Sequence, residues 1–495
     1  VTRRRHCLPR RALRRVLLSA GAAALFGQTA PIGAQPASPS ACWLKGVAHE
    51  ARCGQVQRAL DPARAGGQTI ELHFAVLPAL ARNKLPDPVF FLAGGPGQSA
   101  IELAGPLSAM LARFGNRRDI VLVDQRGTGR SAPLACDEDA AALPLRDTVD
   151  PQRQVQRALQ CLQRLQALPH GDLRLYSTPI AAADLDAVRR ALGAPRINLI
   201  GASYGTRVAL DYLRQFPQRA RRVVLDGVVP PDMALHEASA RDAQAAFDAL
   251  LRSCEDDASC RIAHPRLRTS WQQLLQSVPR TVKVPHPLTG RKEELTLTRD
   301  MLLGLLRTVL YSPVLSAALP AALDAAALGE LTPLFGLSSA LGRPRGESSL
   351  AQGMHFSVVC GEDLRHGAAG APARDFGDGL ASMYRQVCAH WPRADVPAAF
   401  YALARAPVAV LLLSGGIDPV TPPRHGQRVA DALGPLARHE VVPNAGHGLL
   451  ALPCLRDVVF RFVDAATDAQ ALDVDTACAR AMPRPPPFQP PGSAP

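Results

Sequence analysis

The sequence predicts an α/β fold, a mostly parallel sheet covered by helices and carrying an inserted helical cap. Three observations support this. Short apolar runs alternate with segments of helical spacing through residues 89–227 and again after residue 408. Strands separated by helices run parallel and are buried on both faces, because each crossover returns over the sheet. Between those stretches, residues 230–406 show helical spacing with proline breaks and little strand character. One interruption between two strands reads as a cap inserted into a single core rather than as a tandem domain.

Taken in order, residues 68–77 alternate polar and apolar and read as a half-exposed strand. Buried-strand runs follow at Val89-Phe90-Phe91-Leu92-Ala93 and Ile120-Val121-Leu122-Val123. The first is ended by Gly94-Gly95-Pro96-Gly97, the second by Asp124-Gln125-Arg126-Gly127-Thr128-Gly129-Arg130-Ser131. Residues 177–193 carry N-terminal caps and a glycine stop, so a helix leads into the apolar run Ile197-Asn198-Leu199-Ile200. Further strands are expected at 222–227, 408–414 and 440–442, with a last helix around residues 455–466. The organisation expected is a signal peptide (1–34), a first core segment (35–229), the helical cap (230–406), a second core segment (407–482) and a disordered proline-rich tail (483–495).

Composition narrows the function classes. With 47% hydrophobic and 20% charged residues, the 495-residue chain can bury a large core. The formal charge of +13 invites a nucleic-acid reading. However, seven arginines (Arg3, Arg4, Arg5, Arg10, Arg11, Arg14 and Arg15) precede residue 35, where there is no acid. The rest of the chain carries no basic block, so no nucleic-acid partner is expected. The arginine-rich start, the weakly apolar run from Val16 to Phe26 and small residues near Gly33-Ala34 have the three parts of an export signal, for either the Sec or the twin-arginine route. Its apolar run is too short to span a bilayer, and no membrane association is expected once it is removed. Ten cysteines follow Cys7, an even number that suits an oxidising compartment, periplasmic or extracellular. They fall into local couples, Cys42/Cys53, Cys136/Cys161, Cys254/Cys260, Cys360/Cys388 and Cys454/Cys478, although sequence leaves the connectivity open. Neither C-x-x-C nor H-E-x-x-H occurs, and no metal or other cofactor is expected.

The chemistry centres on Gly201-Ala202-Ser203-Tyr204-Gly205, which lies between an apolar run and a helical pattern. Strand, G-x-S-x-G, helix is the layout of a nucleophile elbow, whose glycines relieve crowding around a strained serine. A serine hydroxyl needs a base within hydrogen-bond reach and a third group to orient that base. Asp418, directly after a strand, and His447, after the last strand, supply them in the order Ser, Asp, His. All three are expected at the carboxyl ends of the strands, where such sheets gather their ligands. Backbone N–H groups of Tyr204 and of Gly95, in the turn after the early strand, are the expected oxyanion donors.

Gly94-Gly95-Pro96-Gly97, Asp124 to Ser131, the elbow, Asp418-Pro419-Val420-Thr421-Pro422 and Gly446-His447-Gly448, in this order, resemble the prolyl iminopeptidase and tripeptidyl aminopeptidase branch of the α/β-hydrolases. That resemblance spans roughly residues 42–480. It implies an exopeptidase acting through an acyl-enzyme, releasing one to three residues from the free N-terminus of a small peptide. The iminopeptidases have His before Gly-Gly-Pro-Gly, where this chain has Ala93, which favours the tripeptidyl side. Such an enzyme must hold an α-ammonium group. Glu362 and Asp363, fixed beside Cys360, are the first candidates and Glu237 the second. Asp124 and Arg126 read as braces beneath the site. The main alternative is a carboxylic-ester hydrolase with the same triad, and a non-catalytic binding protein of this fold is a second.

Overall fold

The computed structural model describes residues 39–64, 66–136, 143–340, 350–364 and 373–488. The expected signal peptide, the first residues of the linker and the end of the tail lie outside them. The α/β expectation holds. Eleven strands occur among the described residues: β1 (Ser40–Cys42), β2 (Ala51–Ala59), β3 (Thr69–Leu77), β4 (Val89–Leu92), β5 (Ile120–Val123), β6 (Ile197–Ala202), β7 (Ala220–Asp226), β8 (Arg280–Pro285), β9 (Lys292–Leu297), β10 (Val410–Gly415) and β11 (Ala437–Val442). Nine form one sheet in the order β1-β2-β3-β5-β4-β6-β7-β10-β11. The pairs β1–β2, β2–β3 and β3–β5 are antiparallel, and β5, β4, β6, β7, β10 and β11 run parallel to one another.

The central parallel strands β4, β5 and β10 are continuous apolar runs because both faces are covered, whereas β7 and β11 carry charged residues toward their ends and edge. In β10, Val410 and Leu412 pack into one core cluster while Leu411 and Leu413 pack into the other. In β4, Phe90 and Leu92 face one side, Val89 and Phe91 the opposite one. Alternate residues of a strand point to opposite faces, so a continuous apolar run is what two buried faces require. Truncating a fully buried leucine here, such as Leu412, is expected to cost about 2–5 kcal/mol.

β2 was not foreseen. It is poor in β-branched residues and contains Gly54, which lies opposite Phe74 of β3. A side chain at Gly54 would sit 2.5 Å from the Phe74 ring, so the ring takes the space the glycine leaves. Pairing with β3 sets this strand, overriding its local propensity.

The chain leaves the sheet at the carboxyl end of β7 and returns in β10, which pairs in parallel with β7. The intervening segment is largely helical and has its own apolar cluster, built around Phe247, Trp271, Leu302, Leu306 and Leu323. It differs from the sequence expectation in one respect, the antiparallel hairpin β8–β9. Val282 and Val284 alternate with Thr281 and Lys283, and Leu295 and Leu297 with Glu294 and Thr296, so the inner face joins the cluster, but each strand offers only two apolar residues among charged ones. Leu145, from the helix Leu145–Val149, also joins this cluster. The five disulfides are the five local couples, Cys42–Cys53, Cys136–Cys161, Cys254–Cys260, Cys360–Cys388 and Cys454–Cys478. Part of the expected disordered tail is docked on the inserted segment. Phe488 N–H donates to Ala317 O at 3.0 Å, and Arg484 Nη1 to Ala249 O at 3.2 Å. Polar backbone and one arginine hold it there, a kind of contact that composition does not reveal.

Candidate active site

Strand β6 passes into the helix Tyr204–Gln215 through Ser203, whose φ of 54° and ψ of −122° are rare for a residue with a side chain. Surrounding contacts hold this strained backbone in place. Ser203 N–H donates to Asp226 O at 2.8 Å, and Ser203 O accepts from Thr206 N at 2.9 Å and Thr206 Oγ1 at 2.6 Å. The flanking glycines answer to close backbone approach. A Cβ at Gly201 would lie 2.5 Å from Gly205 O, and one at Gly205 would lie 2.1 Å from Leu92 O. Motif, turn and neighbouring strand thus specify one another.

Asp418 follows β10 and is almost wholly buried. Its Oδ1 accepts from Val420 N at 2.8 Å and Thr421 N at 2.9 Å, and its Oδ2 accepts from Thr421 Oγ1 at 2.7 Å. Oδ2 also meets His447 Nδ1 at 2.8 Å, and Thr421 Oγ1 lies 3.1 Å from the same nitrogen. Nδ1 therefore carries the proton that Asp418 accepts, leaving Nε2 as the basic nitrogen. Burial would lower the His447 pKa, but the charge and hydrogen bond of Asp418, with the charge of Asp226, hold it above its ordinary 6.5. Burial would raise Asp418, yet His447 and Thr421 keep it below the usual carboxylate value.

Two further contacts fix the loop that carries His447. His447 N–H donates to Tyr311 O at 3.1 Å, and the Tyr311 ring meets the imidazole edge-on with centroids 5.3 Å apart. Behind it, the buried carboxylate of Asp226 accepts from Leu449 N at 3.0 Å and Leu450 N at 2.9 Å. Ser203 and His447 line one cavity of about 620 Å³, together with Gly94, Gly95 and Tyr204. No hydrogen bond joins Ser203 to His447 among the described residues. Such contacts often tighten only when substrate is bound.

The Gly94–Gly95 turn follows β4 and faces the serine: a Cβ at Gly94 would sit 3.1 Å from Ser203 Cβ. Gly95 has φ of 110°, which a side chain would oppose. The next residue is held from the inserted segment. His355 Nδ1 donates to Pro96 O at 3.1 Å, and its Nε2 lies 2.7 Å from Tyr384 Oη. Tyr204 N–H belongs to the first turn of its helix, whose amide hydrogens lack intrahelical acceptors and favour negative charge. Asp124 and Arg126 lie outside this cavity. Asp124 accepts from Ser99 Oγ at 2.6 Å, Ile101 N at 3.2 Å and Arg130 N at 3.1 Å. Arg126 is buried against Asp184 (2.6 Å) and the carbonyls of Leu60 and Leu175 (2.9 Å each).

The acidic candidates for an ammonium group divide. Glu362 and Asp363 are fully buried and committed elsewhere, which corrects the expectation that they face the substrate. Glu362 accepts from Thr178 N at 2.6 Å and Thr178 Oγ1 at 2.9 Å. Arg207, also fully buried, reaches Glu362 at 3.3 Å and Asp363 at 2.7 Å. Neither carboxylate lines the cavity. Burial pushes the Glu362 pKa up to about 7 against the opposing charge of Arg207. Thr178 Oγ1 also meets Tyr204 Oη at 2.8 Å, so this network braces the elbow helix from behind. Glu237 lies elsewhere, on an adjoining cavity, paired with Arg385 at 2.9 Å. Sequence reading did not identify Thr421, Asp226 or His355. Thr421 stands three residues after Asp418, where a short hydroxyl side chain can reach back to it. Asp226 ends a strand beside the elbow, the one signal of its place. His355 carries no such signal, because only the tertiary fold brings its helix to the Pro96 turn.

A profile of the family described as alpha/beta hydrolase fold matches residues 87–452. The serine protease Hip1 of Mycobacterium tuberculosis is 34% identical over 226 residues, 42% of this chain and 42% of that protein. The tripeptidyl aminopeptidase of Streptomyces lividans is 30% identical over 264 residues, 48% of this chain and 47% of that protein. The proline iminopeptidase of Neisseria meningitidis is 30% identical over 142 residues, 28% of this chain and 32% of that protein. The chain therefore spans less than half the length of these curated relatives.

Proposed function

The chain belongs to the alpha/beta hydrolase fold family, and from that premise we propose that it is an exported serine hydrolase, an aminopeptidase that removes a short segment from the free N-terminus of peptides through an acyl-enzyme. The observation that carries this reading is the Asp418–His447 pair, at 2.8 Å, set in one cavity with the strained Ser203. In the mechanism that follows, His447 Nε2 takes the Ser203 proton as Oγ attacks the scissile carbonyl. Asp418 keeps the ring in the right tautomer and stabilises the imidazolium. The N–H groups of Gly95 and Tyr204 receive the oxyanion, where preplaced donors are worth most. His447 then protonates the departing amine, and water, activated by the same ring, releases the acyl group.

Names of the relatives support a peptidase: serine protease, tripeptidyl aminopeptidase and proline iminopeptidase. Five disulfides support export, as does the signal-like start of the sequence. No helix of the described residues is long and apolar enough to cross a membrane. The substrate is a small peptide, with no nucleic acid involved. The test compares a chromogenic peptide bearing a free amine with its N-acetylated twin and with a simple ester. Strong preference for the free amine is expected. Equal cleavage of the twins would reject the aminopeptidase and leave the esterase.

A further inference from the structure

The turn Gly94-Gly95-Pro96-Gly97 is glycine-rich, and Gly95 (φ 110°) and Gly97 (φ 109°) both hold positive φ. Such a turn has little conformational preference of its own, so neighbours must impose the direction of its amides. Those neighbours come from the inserted segment. Leu350 Cδ1 stands 2.8 Å from where a Gly95 Cβ would be, and Ala351 O 2.7 Å from where a Gly97 Cβ would be. Two carbonyls of the turn are held from the same side. Ala351 N–H donates to Gly97 O at 3.0 Å, and His355 Nδ1 donates to Pro96 O at 3.1 Å.

The His355 contact is itself set by a third residue. Pro96 O can only accept, so Nδ1 carries a ring hydrogen. Burial lowers the His355 pKa and keeps the ring neutral, which leaves Nε2 bare and in need of a donor. Tyr384 Oη supplies it at 2.7 Å, and burial raises the Tyr384 pKa, so the hydroxyl keeps its hydrogen. With the ring hydrogen on Nε2 instead, the Nδ1 lone pair would face Pro96 O and repel it. Tyr384 therefore selects the tautomer that holds the turn. A disulfide keeps the two residues in register. His355 lies in the helix Gln352–Val358, just before Cys360, and Tyr384 in the helix Gly379–Cys388, whose last residue is bonded to Cys360. Both side chains reach the cavity that contains Ser203.

We propose that His355 and Tyr384 are positioning residues for acyl transfer: the chain Tyr384–His355–Pro96, with the Ala351–Gly97 bond, holds the turn so that the Gly95 N–H meets the oxyanion. The inserted segment thereby takes part in the chemical step, completing a donor that the core alone leaves unset. This rests on the acyl-enzyme part of the proposed function and applies to an amide or an ester substrate alike.

The experiment measures kcat and KM for p-nitrophenyl butyrate and for the free-amine chromogenic peptide. Wild type, His355→Leu, His355→Asn and Tyr384→Phe are compared. Leucine removes both ring nitrogens. Asparagine places an amide N–H near the position of Nδ1 and gives up Nε2. Phenylalanine deletes one oxygen and keeps the ring, so it tests the relay even where the leucine variant folds poorly. Competent enzyme is counted with a fluorophosphonate probe, so misfolded protein does not enter the rates. In His355→Leu, kcat should fall by about ten- to a hundredfold while KM changes by less than about threefold, because the loss is confined to the transition state. His355→Asn should recover most of that loss, and Tyr384→Phe should lower kcat by about three- to tenfold. A second readout uses hexyl trifluoromethyl ketone. Its carbonyl carbon bonds to Ser203 Oγ, its oxygen becomes an oxyanion, and the serine proton passes to His447. Affinity for the ketone should fall in step with kcat, and affinity for the matching alcohol should not. A kcat within about twofold of wild type in His355→Leu or Tyr384→Phe would overturn the assignment. So would an asparagine variant no faster than the leucine one, or equal losses of affinity for ketone and alcohol. Wild type that hydrolyses neither substrate and takes no probe would instead reject the hydrolase reading on which the assignment rests.

Discussion

Gly205→Ala tests whether the elbow and the oxyanion turn are one mechanical unit. The added Cβ would stand 2.1 Å from Leu92 O, 2.7 Å from Leu92 C and 2.9 Å from Ala93 O. All three are backbone atoms, so no side chain can swing aside. Real contacts of this kind stop near 3.0 Å. Helix and strand must therefore part by about 0.9 Å, a displacement comparable to the 1 Å misplacement that can cost about 10²-fold in rate. Leu92 and Ala93 lead directly into Gly94 and Gly95, so the movement is delivered to Gly95, one of the two proposed oxyanion donors. At the same time it shifts Tyr204, the other proposed donor. Overpacking alone is expected to cost about 1–3 kcal/mol of stability. Urea unfolding followed by circular dichroism reads the stability. Initial rates per titrated active site read kcat. The expected result is a lower urea midpoint and kcat reduced by about 10²-fold, with a smaller change in KM. An alanine variant with wild-type midpoint and wild-type kcat would refute the argument that the motif glycine is dictated by the approach of β4.

Three other outcomes follow from the same geometry. Because Asp418 and Asp226 hold the His447 pKa above 6.5, the wild-type rate should be lost on acidification through a limb centred above that value. Asp418→Asn removes the charge, so the limb should move to lower pH while kcat falls roughly 10³- to 10⁴-fold, as read in pH–rate profiles. Asp226→Asn leaves one acceptor for the two amides of Leu449 and Leu450 and should lower stability by about 1–3 kcal/mol in urea titrations, with kcat falling as the His447 loop loosens. Arg207→Met strands two buried carboxylates and should cost about 3–5 kcal/mol at pH 8. The loss should be smaller at pH 5, since unpaired buried carboxylates have raised pKa values and their penalty fades as they protonate.

What the sequence revealed depended on how local each determinant is. The parallel strands were legible because two buried faces make continuous apolar runs, as in Val410 to Leu413. Ser203, Asp418 and His447 were legible because each sits in a loop directly after a strand, within a short run of turn residues. β2 and the β8–β9 hairpin were not, since β2 is set by its pairing with β3 and each hairpin strand shows its alternation over only two apolar residues. Glu362 and Asp363 misled for a related reason. An acidic pair beside an apolar run and a cysteine signals burial, but only the fold shows that Arg207, more than a hundred and fifty residues earlier, already occupies both. His355 and Tyr384 depend wholly on how the inserted segment lies over the sheet, and nothing in their neighbours announces it.

The central claim is that Ser203 is the nucleophile and His447 its base. It is tested most directly by trapping the covalent intermediate. Enzyme is mixed with a fluorophosphonate or a slowly deacylating ester, its intact mass is measured, and the adduct is mapped by peptide digestion. One adduct per chain on Ser203 is expected, absent in Ser203→Ala, slowed in His447→Ala and suppressed by a competing peptide with a free N-terminus. Stoichiometric labelling of a different residue, or turnover that persists in Ser203→Ala, would contradict it.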